Sequence, residues 1–444
     1  MSLFGALSIA SQGLLSNKIA VNSATKNINN AYTDGYSREE PIFADIPGGG
    51  VEIRELRRLF DSALFKEAVT ANYQAAAYSQ QEEILLQVEA VFNDAQGGGF
   101  SNELNAFFSS MNDIALNPDD IAARESFLSA AQSLVGRIRQ AYSYLEETQT
   151  SYTAKLLDQA DRLNRLLNEL AQVNRSLPLY KDSPTYNQYL DERDRLIREI
   201  SSLIEVKVSI DENGKANLYT AKGFALVLDD RAFTVAVEGE AVKVQGVDIS
   251  GELKGGEIGG TLQGLKTVKE WKERLNTFTS TLAQRVNQQH EAGYNLYGES
   301  GAPLFSSENG LPIDASNIIL NVTDPKEVAA ASDPNYLNSD NTNIKALIEL
   351  GEEKIDELGG LSFAEYYATH ITAAIGAKVA EVKNLSQNAS FRLSSIDEKI
   401  SQLSGVNIDE ELINLTKFQR AYEAAARVIN VTDELLQTIL NLAG

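Results

Sequence analysis

The sequence predicts a mainly α-helical protein with a β-rich domain inserted near the middle of the chain. Apolar residues recur three and four positions apart through most of both halves, which is the spacing of an amphipathic helix. One central segment instead alternates apolar and polar residues, as half-buried strands do. At both ends of the chain the apolar stripe also repeats every seven residues, which is typical of paired helices. Together these patterns predict a nested architecture whose N- and C-terminal helices pair as a coiled-coil-like inner domain.

The N-terminal stripe predicts one helix of about 28 residues and about 42 Å. The stripe, eight of whose nine positions are apolar, consists of Leu3, Leu7, Ala10, Leu14, Asn17, Val21, Ala24, Ile28 and Ala31.

The C-terminal stripe predicts a second long helix of the same kind. Nine of its eleven positions are apolar: Ile408, Glu411, Leu415, Phe418, Tyr422, Ala425, Ile429, Thr432, Leu436, Ile439 and Ala443. Because an amphipathic helix gains most of its stability from packing its apolar face, two unpaired stripes are most simply covered by each other. Alternatively, both are ordinary core helices of one bundle. In either case the two ends of the chain meet.

Between these helices the first half reads as loop and then helix. Thr33-Asp34-Gly35 signals a turn, and the glycines at 48–50 and 97–99 signal a flexible break and a loop. Periodic segments predict helices over about residues 60–93, 101–117 and 118–176, and another after Pro184.

The period then changes from helical to alternating. Val206, Val208 and Ile210 alternate with polar residues, and short apolar runs separated by Gly and Asp follow to about residue 247. The helix resumes at about Leu265, residues 294–343 are loop-rich and partly extended, and helices continue from about Ile344.

These elements predict three domains. Residues 1–55 with 405–444 form the paired terminal helices, residues 56–205 with 265–404 form a helical-bundle middle domain, and residues 206–264 form a small β-rich outer domain. An inserted domain of this kind is expected to lie away from the meeting point of the two termini.

Composition excludes several classes of partner and of site. The 62 acidic and 39 basic residues give a net charge of −23, which disfavours nucleic acid and anionic membrane surfaces. No apolar run is long enough to span a membrane, and the N-terminus lacks the basic and small-residue features of a signal peptide. The chain has no cysteine, which removes disulfides and thiolate sites.

No motif in the sequence predicts a catalytic, cofactor or metal site. Neither His290 nor His370 has ligand-like spacing to another candidate residue, and His290 is expected to be solvated or to cap a helix C-terminus. The glycine pairs at 255–256 and 259–260 lack the Lys-Ser/Thr of a phosphate loop and predict a tight return from strand to helix. Residues 340–343 lack the glycine and glutamate of a calcium loop.

Three stretches resemble one family. Residues 27–38, NINNAYTDGYSR, resemble the signature that ends the N-terminal helix of flagellar axial proteins, with Asp34 where proline is common. Residues 404–429, which begin SGVNIDEE, are similar to the C-terminal signature of the hook-associated protein 1 family. Residues 190–196, LDERDRL, and the glycine-rich return at 255–260 resemble the boundaries of that family's β insertion. The β segment itself and residues 294–343 match weakly.

The resemblance implies a structural, non-enzymatic subunit that is exported unfolded through the flagellar type III channel. It implies self-association in a ring at the hook–filament junction, with hook protein and the second junction protein (hook-associated protein 3) as neighbours. It also implies a cytosolic export chaperone that binds the C-terminal region. The predicted assembly interface on the terminal helices comprises Leu3, Leu7, Leu14, Val21, Ile28, Asn29, Leu415, Phe418, Tyr422, Ile429, Leu436 and Ile439.

Two alternatives stay open at this point. One is another axial protein, such as a hook, rod or flagellin-side junction protein. The other is a secreted coiled-coil scaffold or adhesin, for which the heptads alone would suffice. The second alternative predicts continuous heptads rather than heptads that flank a nested core.

Overall fold

The fold was analysed in a computed structural model, which describes residues 2–47, 49–93, 99–181 and 183–443. The chain divides into two compact units. The first contains Met1–Ala76, Ala160–Gly256 and Asn388–Gly444, and the second contains Ala77–Gln159 and Glu257–Gln387. This division by compactness leaves the three-domain scheme of the sequence as a prediction. The fold class, mainly helical with an inserted β segment, is confirmed.

Ten α-helices are found among the described residues, and a π-helical segment, Tyr367–Ala373, joins the eighth to the ninth. They are α1 (Leu3–Asn29), α2 (Ser62–Val91), α3 (Phe100–Leu116), α4 (Ile121–Ser176), α5 (Tyr186–Leu203), α6 (Gly256–Glu291), α7 (Thr342–Glu349), α8 (Phe363–Tyr366), α9 (Ala374–Ser404) and α10 (Ile408–Ala443). The periodicity therefore located the long helices to within a few residues, with α6 as the exception. The predicted loop at 97–99 falls mostly outside the described residues.

The strands are short and antiparallel throughout the described chain. They are β1 (Glu39–Asp45), β2 (Val51–Arg58), β3 (Lys207–Ile210), β4 (Ala216–Tyr219), β5 (Ala225–Leu228), β6 (Arg231–Ala232), β7 (Val235–Glu238), β8 (Ala241–Val244), β9 (Val247–Asp248), β10 (Phe305–Ser307) and β11 (Ile318–Leu320). In the inserted segment, β3 to β6 form one sheet and β7 to β9 another, each in chain order. The change of period at Val206 thus marks a real change of structure.

Two local predictions were wrong or incomplete. The helix predicted from Leu265 begins at Gly256, so the glycine-rich return is the first turn of α6. Gly256 has φ +74°, and a Cβ there would lie 2.3 Å from the amide nitrogen of Ile204, so only glycine fits this approach. The break expected at 48–50 connects β1 to β2, a hairpin that the sequence analysis missed; Gly48 itself lies outside the described residues.

The second unit has an aromatic core. Phe100 stacks on Tyr367 at 4.5 Å between ring centroids and meets Phe278 edge-on at 5.4 Å. Phe107 packs against Phe127 at 5.5 Å, and all these rings are buried. Aromatic burial of this kind supplies a large apolar area to a single cluster.

A buried cation and a buried imidazole tie the loop-rich part of the second unit to its helices. The guanidinium of Arg124 donates through Nε and Nη2 to the carbonyl of Pro118, at 2.8 and 2.6 Å, and through Nη1 to the carbonyl of Val328. Burial lowers the pKa of Arg124 to about 10. Backbone carbonyl oxygens accept the hydrogen bonds of this guanidinium, and the nearby carboxylate of Asp119 also stabilises its charge.

His290 was expected to be solvated or to cap a helix end, and this expectation was wrong. Its side chain is fully buried near the end of α6. Nδ1 lies 2.6 Å from the carbonyl oxygen of Ala302, and the amide of Ala329 donates to Nε2 at 3.0 Å. The ring therefore links two loop segments to the helix by hydrogen bonds. Because Nε2 accepts from an amide, the ring is neutral and carries its proton on Nδ1.

The free energy of unfolding of the second unit is predicted to fall between pH 6.5 and pH 4. Burial lowers the pKa of His290 from 6.5 to about 4, so the unfolded chain binds a proton that the folded unit excludes in this range. His290 thus contributes stability that is complete above pH 6.5, and about 3 kcal/mol of it is lost by pH 4. The protection factor of the Ala329 amide, which is its hydrogen-exchange rate corrected for the intrinsic effect of pH, measures this loss. His290→Gln should flatten the dependence of this amide's protection on pH. In the control His370→Gln, which changes an exposed ring and leaves the two hydrogen bonds of His290 in place, the fall in protection should remain.

Candidate assembly site at the paired terminal helices

The two terminal helices pack against each other, as the stripes predicted, and they run antiparallel. The end of α1 meets the start of α10 at the Asn27–Glu411 hydrogen bond, while Val21 lines a recess together with Gln419 and Tyr422 further along α10. Residues that are 384 positions apart in the chain are thereby brought into direct contact.

The twelve predicted interface residues surround this contact but are not its most buried part. Nine are half-buried: Leu3, Leu7, Leu14, Val21, Ile28, Leu415, Phe418, Ile429 and Leu436. Asn29, Tyr422 and Ile439 are exposed. Whether these residues form contacts in an assembly stays a prediction.

Small and polar residues occupy the buried positions instead. In α1 the buried side chains are Ala10, Ser16, Ala20, Ser23, Ala24 and Asn27. Among the described side chains of α10, the buried ones are Glu411 and Thr432. Glu411 and Thr432 were the two polar exceptions in the C-terminal stripe, so a polar residue at a stripe position was the signal that could have found them.

The β1–β2 hairpin covers part of α1. Ser16 donates to the carbonyl of Val51 at 2.9 Å, and Ser23 donates to the carbonyl of Glu39 at 3.3 Å. Phe43 of β1 also reaches Phe418 of α10, at 6.0 Å between ring centroids. The hairpin therefore touches both terminal helices.

A buried polar cluster, which we call the Asn27 cluster, closes the end of the helix pair. Asn27 is 1% exposed. Its Nδ2 donates to the Glu39 carbonyl at 2.9 Å and to Oε2 of Glu411 at 3.1 Å. Its Oδ1 accepts from the Tyr36 hydroxyl at 2.7 Å and the Glu39 amide at 3.0 Å. The side chain thus makes all four hydrogen bonds that an amide can make.

Charged side chains surround this amide. Arg38 donates through Nε to Oε1 of Glu411 at 2.7 Å and through Nη1 to Glu410 at 3.1 Å. Lys26 forms an ion pair with the buried carboxylate of Glu39. Burial and the Glu39 carboxylate raise the pKa of Tyr36 well above its ordinary value, so the hydroxyl keeps its proton and remains a donor to Asn27.

A second ionic group connects the hairpin to α5. Arg58 at the end of β2 lies between Asp191 and Asp194, with Nε 2.7 Å from Asp191 in a contact that lacks hydrogen-bond geometry. Ser37 hydrogen-bonds Asp191 through its amide and its hydroxyl. Burial raises the pKa of Asp191 to about 6, while Arg58 and Ser37 oppose this rise.

Large apolar side chains remain exposed on the outer side of the helix pair. On α10 they recur at helical spacing over its last four turns: Val428, Val431, Leu435, Ile439 and Leu442. Leu442 is 83% exposed, and on α1 Phe4, Leu15 and Ile19 are exposed as well. This set on α10, which we call the outer stripe, is an apolar surface that the described chain does not cover.

Comparison with known proteins identifies the family. The family model for the flagellar hook-associated protein FlgK helical domain matches residues 85–305, and that for the flagellar basal body rod FlgEFG protein C-terminal matches residues 400–442. Flagellar hook-associated protein 1 of Bacillus subtilis is 25% identical, over 100% of this chain and 99% of its own length. The chain belongs to the flagellar hook-associated protein 1 family. The Escherichia coli protein of that name is 22% identical over 98% of each chain.

The fold agrees with that family. The structure of the flagellar hook junction protein FlgK from Burkholderia pseudomallei matches with a TM-score of 0.67 at 15% identity, over 76% of this chain and all of that one. The three stretches that carry the resemblance to the hook-associated protein 1 family also converge. Asn27, Tyr36 and Arg38 of the first stretch meet Glu411 of the second in the Asn27 cluster, and Ser37 of the first stretch hydrogen-bonds Asp191 of the third.

The flagellar hook-associated protein 1 family consists of structural flagellar proteins, not enzymes. Across the described residues, no group of three or more His, Cys, Asp or Glu side chains is arranged to hold a metal ion. None of the described helices combines the length and the apolar character needed to cross a membrane.

The first unit is predicted to lose stability as pH rises through about 6. Asp191 has a folded pKa of about 6 against 3.8 for the free side chain, so the folded unit binds the extra proton between these values. The stability that Asp191 contributes is complete below pH 3.8 and is lost above pH 6, a difference of about 3 kcal/mol. Amide exchange at Arg38, whose N–H donates to the Ser404 carbonyl, reports this change.

The matched variants for this test are Asp191→Asn and Asp34→Asn. The first keeps the shape of the side chain and removes its titration, so the exchange profile from pH 4 to 7 should flatten. The second changes an exposed aspartate on the neighbouring loop and should keep the parental profile. A parental slope in Asp191→Asn would show that another group causes the pH dependence.

Proposed function

We propose that this chain is a structural subunit of the bacterial flagellum that joins the hook to the filament side and assembles through its terminal helices. The pairing of α1 with α10 is the observation that carries the proposal, because it forms a long antiparallel helix pair whose outer stripe is not covered. Membership of the hook-associated protein 1 family and similarity over the full length of its members support the location at the junction.

The outer stripe is the surface through which we expect neighbouring subunits to pack. Its residues repeat every three or four positions over four turns, which suits burial against another helix. Isolated exposed apolar residues are common on soluble proteins, but a continuous row indicates an interface. In a ring, the partners of the stripe would be further copies of this chain, with hook protein on one side and hook-associated protein 3 on the other.

The same exposed stripe indicates that the C-terminal region has to be covered before the chain reaches its assembly site. Before assembly, an apolar row on α10 would promote premature association, so a cytosolic chaperone that covers the C-terminal region is expected. The chain contains no cysteine, which is compatible with export in an unfolded form because no disulfide has to be reduced or reformed.

The test is to place charges on the outer stripe. In the double variant Val431→Asp/Leu435→Asp, the changed side chains are 54% and 48% exposed, so the free protein should keep its helix content by circular dichroism. Cells that carry it should produce hooks without filaments and should not swim, because the carboxylates cannot be buried between helices. Electron microscopy and motility assays provide the readout.

Asn430→Asp provides the control, since it adds a carboxylate to the same turns of α10 at an exposed polar position. This variant should assemble and swim like the parent. Normal filaments in the double variant would contradict the proposed role of the stripe. Labelling of the chain on isolated hook–filament structures separately tests its location.

A further inference from the structure

We propose that the buried contact between Asn27 and Glu411 sets the register in which the two terminal helices pair. This inference concerns the chain itself and holds whatever the helix pair later assembles with. It rests on the contrast between an apolar seam that repeats along both helices and a polar cluster that occurs once, at one end of it.

The large apolar residues along the helix pair do not distinguish one register from the next. Its large residues are spaced by seven in both helices: Leu7, Leu14, Val21 and Ile28 on α1, and Leu415, Tyr422, Ile429 and Leu436 on α10. A shift of seven residues, about 10 Å along the axis, brings equivalent apolar residues face to face. Because these side chains are at most half-buried, packing around them tolerates the exchange.

The connections do not fix the register either. Residues 30–38 and 405–407 contain neither helix nor strand. The segment before α10 thus has no regular structure of its own that would have to break if the helix moved. The backbone bond from Arg38 to Ser404 joins the two connections but lies before α10. The β1–β2 hairpin reaches α10 through Phe43 and Phe418, and this contact between two apolar rings has no hydrogen-bond partner to satisfy.

The Asn27 cluster does distinguish the registers. In the observed register, Oε2 of Glu411 accepts from Asn27 at 3.1 Å and Oε1 accepts from Arg38 at 2.7 Å, with the carboxylate 3% exposed. A shift of one heptad in one direction replaces Glu411 by Phe418. In the other direction it carries the start of α10 past Asn27, because α10 begins at Ile408 and has no residue seven positions before Glu411. In the first case an apolar ring would face the buried amide, and in the second no side chain of α10 would reach it.

The shifted registers therefore leave a buried donor without an acceptor. One N–H of the buried Asn27 would lose its partner, and an unsatisfied buried group is costly. Arg38, whose side chain is 22% exposed, would lose its ion pair with Glu411. A single polar residue in an apolar helix seam is known to select register in this way, at some cost in stability. The expected preference for the observed register is at least about tenfold.

The absence of cysteine from the chain allows a direct test by disulfide trapping in the full-length protein. The pair Val21→Cys/Tyr422→Cys reports the observed register, since both residues line one recess. The pairs Val21→Cys/Leu415→Cys and Val21→Cys/Ile429→Cys report the two shifted registers, because a residue seven positions along a helix lies about 10 Å away, beyond disulfide reach.

With the native Asn27 cluster, oxidation should cross-link the first pair and leave each of the other two below about one tenth of its yield. Glu411→Leu, which removes the carboxylate and adds apolar surface, should raise the shifted cross-links at least tenfold relative to the native one. Glu411→Gln keeps an acceptor oxygen and should retain the native pattern.

Glu410→Leu is the matched control. Glu410 also binds Arg38, at 3.1 Å, but its side chain is 57% exposed and does not contact Asn27. This variant should cross-link only in the native register.

Two outcomes of the Glu411→Leu experiment would overturn the proposal. Exclusive cross-linking of Val21→Cys/Tyr422→Cys would mean that the apolar seam selects the register without the carboxylate. Loss of all three cross-links would mean that Glu411 holds the helices together rather than choosing between registers.

Discussion

The polar contacts between two helices from opposite ends of the chain centre on one buried amide. Asn27 uses both hydrogens and both lone pairs of its side chain, and its partners come from α1's own exit loop, from β1 and from α10. Arg38 and Glu411 extend this cluster, and Arg58 connects the hairpin to Asp191 and Asp194 on α5. The position of the helix pair relative to the rest of the first unit is thus defined by polar groups that have few alternative partners. A slip or rotation of either helix would expose several of them at once to an apolar neighbour.

The sequence predicted the helices well because each long helix carries its own periodic signal. The α1 stripe from Leu3 to Ile28 and the C-terminal stripe placed both terminal helices almost to the residue. The β1–β2 hairpin was missed because its strands are mostly half-exposed, with charged residues such as Glu52 and Arg54 at short intervals, so that no apolar alternation stands out. The start of α6 was missed because its first turns contain glycines, which read as loop in isolation. Gly260 lies so close to the Ala77 carbonyl that a Cβ would be 2.3 Å from it, which explains why this helical position is a glycine.

The sequence predicted that the terminal helices contact each other, but not which of their residues are buried in the contact. Large apolar residues define a heptad, so the prediction selected residues such as Leu14 and Phe418, which the structure leaves half-buried. The buried positions belong to alanine, serine and asparagine, whose role depends on how closely two distant segments approach, and a single helix does not reveal that distance. The burial of His290 could not be predicted for the same reason, since it depends on loop segments distant in sequence that contact the ring through Ala302 and Ala329. Only the polar exceptions in the stripe, Glu411 among them, carried a local signal.

The composition of the helix contact also indicates how the ends of the chain gain their final stability. The second unit buries many large aromatic and aliphatic side chains in one core, whereas the buried residues of α1 are small, and small side chains contribute little on burial. Each of the five outer-stripe residues is close to half exposed or more, and burying the remaining area would add about 1 kcal/mol per residue. A neighbouring subunit that covered the stripe would therefore add about 5 kcal/mol to each helix pair, an amount comparable with the stability of a whole domain. Helices with a weak seam, a strict register and an uncovered face suit a chain whose ends pair first and are stabilised by assembly.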